Sequence, residues 1–267
     1  MSHRQFLVVA RVGDHSLHPQ WLAGPYRNFD VYLSYFGDSP GKYKGSTEFY
    51  EQAKGGKWPM IATIVNSNPE LTDRYSAVWF PDDDLLMSTE SINQMFNLFA
   101  GLGIALGQPA LTLDSHVLYA GLIAQPHCVA RYVNFIEIMA PIFSKDSLAA
   151  LKHTFSQSPS GWGLDNLWPL LLAHGNMAVL DSTPMTHTRP MQRGELYKNN
   201  TLSPKDDQQK IADLYPHLAI LPNGKAHKLR FDALLLTLKL PPFIAKLVSI
   251  IIRGRNRSKY KSATRWH

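Results

Sequence analysis

The feature that most restricts how this chain can fold is an apolar run at residues 75–81 (Tyr-Ser-Ala-Val-Trp-Phe-Pro) that ends directly on Asp82-Asp83-Asp84. Such a run reads as a buried strand, so the three carboxylates must emerge on a loop at the sheet's edge rather than inside the core. If the backbone stays extended there, Asp82 and Asp84 point the same way. Hard oxygen ligands clustered like this suit Mg²⁺ or Mn²⁺ bound together with a phosphorylated ligand. A solvated acidic turn would look the same in isolation, so the rest of the chain decides between the two.

That rest alternates between strand-like and helix-like segments. Residues 5–12 read as a buried first strand that stops at Gly13-Asp14, and residues 29–36 as a second that stops at the turn-rich run 37–41. A helix is predicted over 57–68, ended by Pro69; then come strand 75–80 and a helix from Ser88 to Phe99, with Ser88 as its cap and Glu90 in its first turn. Strands are predicted at 103–111, 132–139 and 177–181, with helices from Ser144 to Phe155 and from Leu164. Residues 188–224 read as irregular and mobile. This alternation predicts an α/β fold, a Rossmann-like, mostly parallel sheet with helices on both faces. Ligands of such sheets sit beyond the carboxyl ends of the strands, where Asp14, Asp38, Asp82–Asp84 and Asp181 are all expected.

Composition narrows the classes. With 267 residues, 45% apolar and 18% charged, the chain can bury a substantial core, and it divides into a domain at 1–224 and a tail at 225–267. One cysteine, Cys128, excludes a disulfide framework and a cysteine-rich zinc module and fits a reducing compartment. No secretory signal pattern is expected at the N-terminus, and neither GxGxxG nor a Walker-type loop is present, against dinucleotide dehydrogenases and P-loop NTPases.

Charge is concentrated in the tail. From Lys225 onward eleven Lys/Arg face the single acid Asp232, so the tail carries +10 and residues 1–224 carry −4 of the net +6. Residues 229–252 read as two apolar helices hinged at Pro241-Pro242, followed by the basic run 253–261. Lys239 and Lys246 interrupt the apolar stretch, which favours an interfacial pair of amphipathic helices on an anionic membrane surface, engaged through 229–261. Docking of these helices on the core is the plainer alternative. Nucleic acid is not expected, because the interleaved residues are Leu, Ile and Val rather than stacking aromatics.

Four further segments carry chemistry-bearing side chains. Gln108-Pro-Ala-Leu111 ends a strand, and Glu137 sits in an otherwise apolar strand, where it is paired (Arg131 is a candidate), protonated or turned to a cleft. Trp162-Gly-Leu-Asp165 puts an acid at a helix start, which is also the commonest place for a simple cap. His187 follows six residues after Asp181.

In order and approximate spacing, these segments from Lys57-Trp58 to Met191 resemble a plant and bacterial family catalogued as a domain of unknown function with a GT-A-type glycosyltransferase fold. The resemblance covers about half the chain and leaves the tail outside. It implies a nucleotide-sugar-dependent glycosyltransferase using Mn²⁺ or Mg²⁺, with a nucleotide-sugar donor and a glycan or glycolipid acceptor. Asp82 and Asp84 would be the DxD metal pair and His187 the late metal ligand. Asp165 would be the catalytic acid–base residue that deprotonates the acceptor in inverting members. Arg11, Gly13, Asp14, Asp38, Lys57 and Asp83 would bind the donor, with Glu137 and Trp162 on the acceptor side. Asp83 departs from the family's frequent Glu-like middle residue. Combined with the tail, the resemblance implies an enzyme peripheral to the inner face of the cell membrane, working in cell-surface polysaccharide synthesis. The alternatives are another divalent-metal enzyme on nucleotides, such as a nucleotidyltransferase or phosphohydrolase, and a non-catalytic membrane adaptor.

Overall fold

The structure, a computed structural model, describes residues 3–173, 176–190, 203–218 and 220 in full, and residues 231–236 as backbone. Its frame is a sheet in the order β10-β7-β9-β6-β8-β4-β1-β2-β3. The strands are β1 (Phe6–Val12), β2 (Phe29–Tyr35), β3 (Phe49–Gln52), β4 (Ala77–Trp79), β6 (Leu106–Leu111), β7 (Cys128–Val133), β8 (Ile142–Ser144), β9 (Met177–His187) and β10 (Phe231–Leu236). A two-residue strand, β5 (Leu85–Leu86), pairs with the far end of β9. β1 pairs in parallel with β2 and β4, and β6 with β9; β8 runs against β4 and β6, and β7 against β9 and β10. The sheet is therefore mixed, with β7 and β8 the two reversed members of the nine.

Helices cover both faces, as the alternation predicts. On one face lie α1 (His18–Leu22) and α4 (Thr89–Gly101), whose Trp21 and Phe96 pack on Trp79, Phe6 and Phe29. On the other lie α2 (Lys57–Ser67), the short α3 (Pro69–Arg74), α5 (Lys145–Leu151) and α6 (Leu164–Leu171). There Trp58, Phe80, Phe143, Phe155 and Trp168 form one aromatic cluster with ring centroids 5.0–6.3 Å apart. Two helix starts are set as the sequence implies: the Ser88 and Ser144 hydroxyls each accept the backbone N–H three residues on, at 3.2 Å.

Four expectations need correction. The strand placed at 132–139 is β7, ending at Val133, and Glu137 lies on the connection to β8. That connection looked like a strand because it is itself buried: Phe135, Ile136 and Ala140 are at most 1% exposed. β9 does not stop at 181 but runs to His187, which leaves Asp181 in mid-strand, inside the core. The predicted irregular stretch 188–224 contains a helix, α7 (Pro204–Leu214), held by buried Ile211. Residues 231–236, read as the start of an apolar helix, form β10 against β7. A six-residue apolar run has no period that separates strand from helix, and the free edge of β7 decided it. The remaining tail, residues 237–267, lies outside the described residues.

Candidate active site

β1, β4 and β9 share one direction, and their carboxyl ends bring Gly13-Asp14, Asp82–Asp84 and His187 together. Asp84 and His187 form the centre. β5 and β9 pair so that Leu85 faces His187, and His187 Nε2 lies 3.5 Å from Asp84 Oδ2. His187 Nδ1 is 2.8 Å from the His116 carbonyl, which can only accept, so Nδ1 carries the proton. Asp84 Oδ1 is buried and has no hydrogen-bond partner among the described residues.

Asp82 sits beside this pair, its side chain 37% exposed to the crevice. Lys57, the first residue of α2, reaches it at 2.6 Å and also donates to the carbonyls of Ile138 and Met139. Enclosure raises the Asp82 carboxyl above the usual range against the pull of Lys57. Burial likewise pulls His187 down, but the hydrogen bond and charge of Asp84, helped by the His116 carbonyl and Asp82, raise it to about 9.

The other side of the crevice holds two acids. Asp165, in the first turn of α6, is 9% exposed; burial pushes its carboxyl up to about 7, although the N–H groups of Asn166, Gly163 and Asp165 itself favour the charged form. Glu137 is 7% exposed; Gln108 Oε1 accepts its backbone N–H at 2.6 Å, and Glu137 Oε2 has no partner among the described residues. Burial pushes Glu137 to about 7 as well, with the charges of Asp165 and Asp82 adding and those of His187 and Lys57 opposing. The Arg131 partner considered for Glu137 belongs elsewhere: Arg131 Nε donates to Asp181 at 2.8 and 3.0 Å, a pair buried between β7 and β9. Asp181 is thus a core residue and does not line the crevice.

The structure therefore gathers Lys57, Asp82, Asp84, Glu137, Asp165 and His187 from five separate stretches of chain. The residues read as donor contacts divide differently. Arg11 is 2% exposed and joins β1 to β2 and to the loop after β3, donating to Ser34 Oγ, Ala53 O and Gly55 O. Asp83 turns away from Asp82 and Asp84, accepting the Gly13 N–H at 2.8 Å and facing Arg189 at 3.3 Å. Asp14 is half-exposed and held by Tyr35 and Lys42, whereas Asp38 stands on the surface, 93% exposed, beside Lys54. Trp162 is partly buried, with its backbone fixed by Ser158 and Ser160. Sequence reasoning gave no role to Gln108, which positions Glu137, or to Arg189, which locks Asp83. Both act through partners 29 or more residues away, which no local pattern reveals.

The donor set suits a divalent cation in part. Asp84, with Oδ2 near His187 Nε2 and Oδ1 buried without a partner among the described residues, forms a two-residue ligand pair with His187, whose Nε2 is the unprotonated nitrogen once the ring is neutral. Among the described residues no group of three or more His, Cys, Asp or Glu is arranged to hold an ion unaided. Ligand oxygens must complete any such site.

No protein-family model matches the sequence, and no curated protein matches it. Among solved structures, TarS of S. aureus (residues 1–349) in complex with UDP-GlcNAc matches with a TM-score of 0.50 and 13% identity, over 79% of this chain and 65% of that one. This chain thus spans just under two thirds of that structure. A second TarS 1–349 structure matches with a TM-score of 0.50 and 11% identity, over 80% of this chain and 72% of that one. The fold is the Rossmann-like fold of GT-A-type glycosyltransferases.

One consequence can be checked directly. Because His187 is raised above its ordinary value of 6.5, its attraction to Asp84 contributes stability that is complete below about pH 6.5 and lost as pH rises through about 9. Urea unfolding in EDTA is expected to show wild type more stable than Asp84→Asn at pH 6.5, with the gap closing toward pH 9. A gap independent of pH would place the His187 proton elsewhere.

Proposed function

We propose that this chain is a metal-dependent glycosyltransferase. It moves a sugar from a nucleotide-sugar onto a hydroxyl of a glycan, lipid-linked and met at the inner face of the cell membrane. The observation that carries this reading is the division of one crevice into two halves: the Asp84–His187 pair with its unpartnered oxygen, and the buried acid Asp165 across from it. The GT-A-type fold supports it, and the UDP-GlcNAc bound by the similar TarS structure makes a UDP-sugar the first donor to test.

Asp84 and His187 would hold the cation, with Asp82 beside them and the donor's phosphate oxygens completing the shell. Bound there, Mn²⁺ or Mg²⁺ neutralises charge on the departing nucleoside diphosphate. Lys57 keeps Asp82 in place and adds a second positive charge at that end. In the transfer, the acceptor oxygen forms a bond to the anomeric carbon, the bond from that carbon to the diphosphate breaks, and the hydroxyl proton passes to Asp165. A carboxyl raised to about 7 matches that task, being basic enough to take the proton and largely ionised just above neutrality. Glu137, close enough to Asp165 and His187 for their charges to act on it, would serve the acceptor side. Asp165 in this role makes the enzyme inverting.

The acceptor's lipid link rests on the tail. β10 runs in the same direction as β1, β4 and β9, so its carboxyl end, where Leu236 pairs with Cys128, lies at the end of the sheet that carries the crevice. Residues 237–267, with their eight Lys/Arg and no Asp or Glu, continue from there. Each basic residue near an anionic leaflet contributes roughly 1 kcal/mol, so the segment can hold the crevice at the bilayer. No helix among the described residues is long and apolar enough to cross a membrane.

Two outcomes are expected. Asp165→Asn leaves donor affinity intact but lowers turnover by about 10²–10⁴-fold, while wild-type turnover rises with pH through about 7; turnover within a few-fold of wild type would put the base elsewhere. Removing 237–267, which spares β10, abolishes sedimentation with vesicles containing anionic lipid and keeps donor binding. Undiminished sedimentation would assign the membrane contact to another surface.

A further inference from the structure

The loop that precedes Asp165 is gripped from two sides. Toward the core, Gly161 has φ +84°, and any Cβ there would collide with the Trp58 ring, next to Lys57. On the outside, α7 lies across the loop. Asp207 Oδ2 accepts the Ser160 N–H at 2.8 Å, and Tyr215 donates to Gln157 Oε1 at 3.0 Å. Gly163, the residue before α6, has φ +92°; a Cβ on it would lie 3.0 Å from Ile211 Cβ and 3.1 Å from Gln208 Cα. Ile211 is fully buried in this contact and Gln208 is 3% exposed. Gly163 stands two residues before Asp165, and its N–H favours the charged form of that carboxylate.

A chain of contacts thus runs from α7 through Ser160 and Gly163 to the first turn of α6, which carries Asp165. α7 itself follows β9, the strand that ends on His187. The helix is otherwise strongly polar, with Lys205, Asp206, Asp207, Lys210 and Asp213 among its eleven residues. Besides the Asp207 and Tyr215 hydrogen bonds, the Gln208–Ile211 stripe binds it to the body of the protein, at the base of α6.

We propose that α7 is a clamp that sets the position of the Asp165 carboxylate, with Asp207 and Ile211 as positioning residues. Asp207 fixes the height of the 158–163 loop through one amide, and Ile211 closes the space that Gly163 leaves. The acceptor half of the crevice is then assembled only when the segment following the His187 strand has returned and docked. The inference rests on the reading of Asp165 as the base that receives the acceptor proton. A general base acts only within hydrogen-bond reach of its proton, and a displacement of about 1 Å costs up to 10²-fold in rate, so the clamp bears on turnover and not on donor binding.

The test uses the full chain with Asp207→Ala and Asp207→Asn, because the amide oxygen of Asn still accepts the Ser160 N–H. Transfer kinetics with a UDP-sugar and Mn²⁺ are read beside hydrogen exchange at the Gly163 and Asn166 amides. Asp207→Ala is expected to lower kcat about tenfold with donor KM unchanged and to speed exchange at both amides, while Asp207→Asn restores both to within about twofold of wild type. Unchanged kcat and exchange in Asp207→Ala would overturn the clamp, as would Asp207→Asn failing as badly as Asp207→Ala. If Asp207→Ala does not fold, Ile211→Val takes its place, with the same pattern at smaller amplitude expected and wild-type values overturning the proposal. If wild type transfers no sugar, the proposed function fails; exchange still judges the clamp, faster in the variant supporting it and unchanged sinking it.

Discussion

Everything at this site depends on how four carboxyl groups are kept in one crevice with few cations. Asp82, Asp84, Glu137 and Asp165 converge where Lys57 and His187 are the nearest positive charges. Burial raises the proton affinity of Asp82, Glu137 and Asp165, and neighbouring carboxylates add to it at Asp82 and Glu137. Lys57 makes the arrangement tenable. Its ammonium, 11% exposed, is anchored by two carbonyls of the 134–141 connection as well as by Asp82. One side chain thereby ties α2, the acidic loop and the stretch carrying Glu137. An ammonium so placed leaves excess negative charge in the crevice, which a divalent cation arriving with its ligand would relieve.

The rest of the fold follows from supporting that crowding. The aromatic cluster of Trp58, Phe80, Phe143, Phe155 and Trp168 packs directly beneath the Lys57 end and gives the acidic loop a rigid floor. Asp83 serves the opposite purpose from its neighbours. By capturing the Gly13 N–H and Arg189, it pins the β1 loop and the end of β9 to the same turn, and its carboxyl is raised by burial only to about 6. The triple aspartate is therefore two positions in the crevice separated by one that ties the loop to its neighbours.

How much of this the sequence discloses depends on the range of each interaction. The strand ending on Asp82, the Ser88 cap and the start of α6 at Leu164 are set by local chemistry, and all three are legible. Arg11 and Asp181 are legible only as charges near strand ends. Their partners, Ser34 and Gly55 for the first and Arg131 for the second, lie 23 to 50 residues away and turn both into internal joints. Glu137 misleads for another reason. A buried connection carries the same apolar composition as a strand, and only the backbone bond to Gln108 shows that the chain has left the sheet. β10 is the same lesson in reverse, since the unpaired edge of β7 gave an apolar run its conformation.

The central claim is that the Asp84–His187 half of the crevice binds a nucleoside diphosphate through a divalent cation. Thermal unfolding of the wild-type chain with UDP, GDP, CDP or dTDP, each in Mn²⁺ or in EDTA, tests it most directly. A ligand at a hundredfold excess over its dissociation constant stabilises by roughly 2.7 kcal/mol, an unmistakable rise in Tm. The account predicts such a rise for one nucleotide with Mn²⁺ and none for any of them in EDTA. Equal stabilisation in both conditions, or none in either, would contradict it.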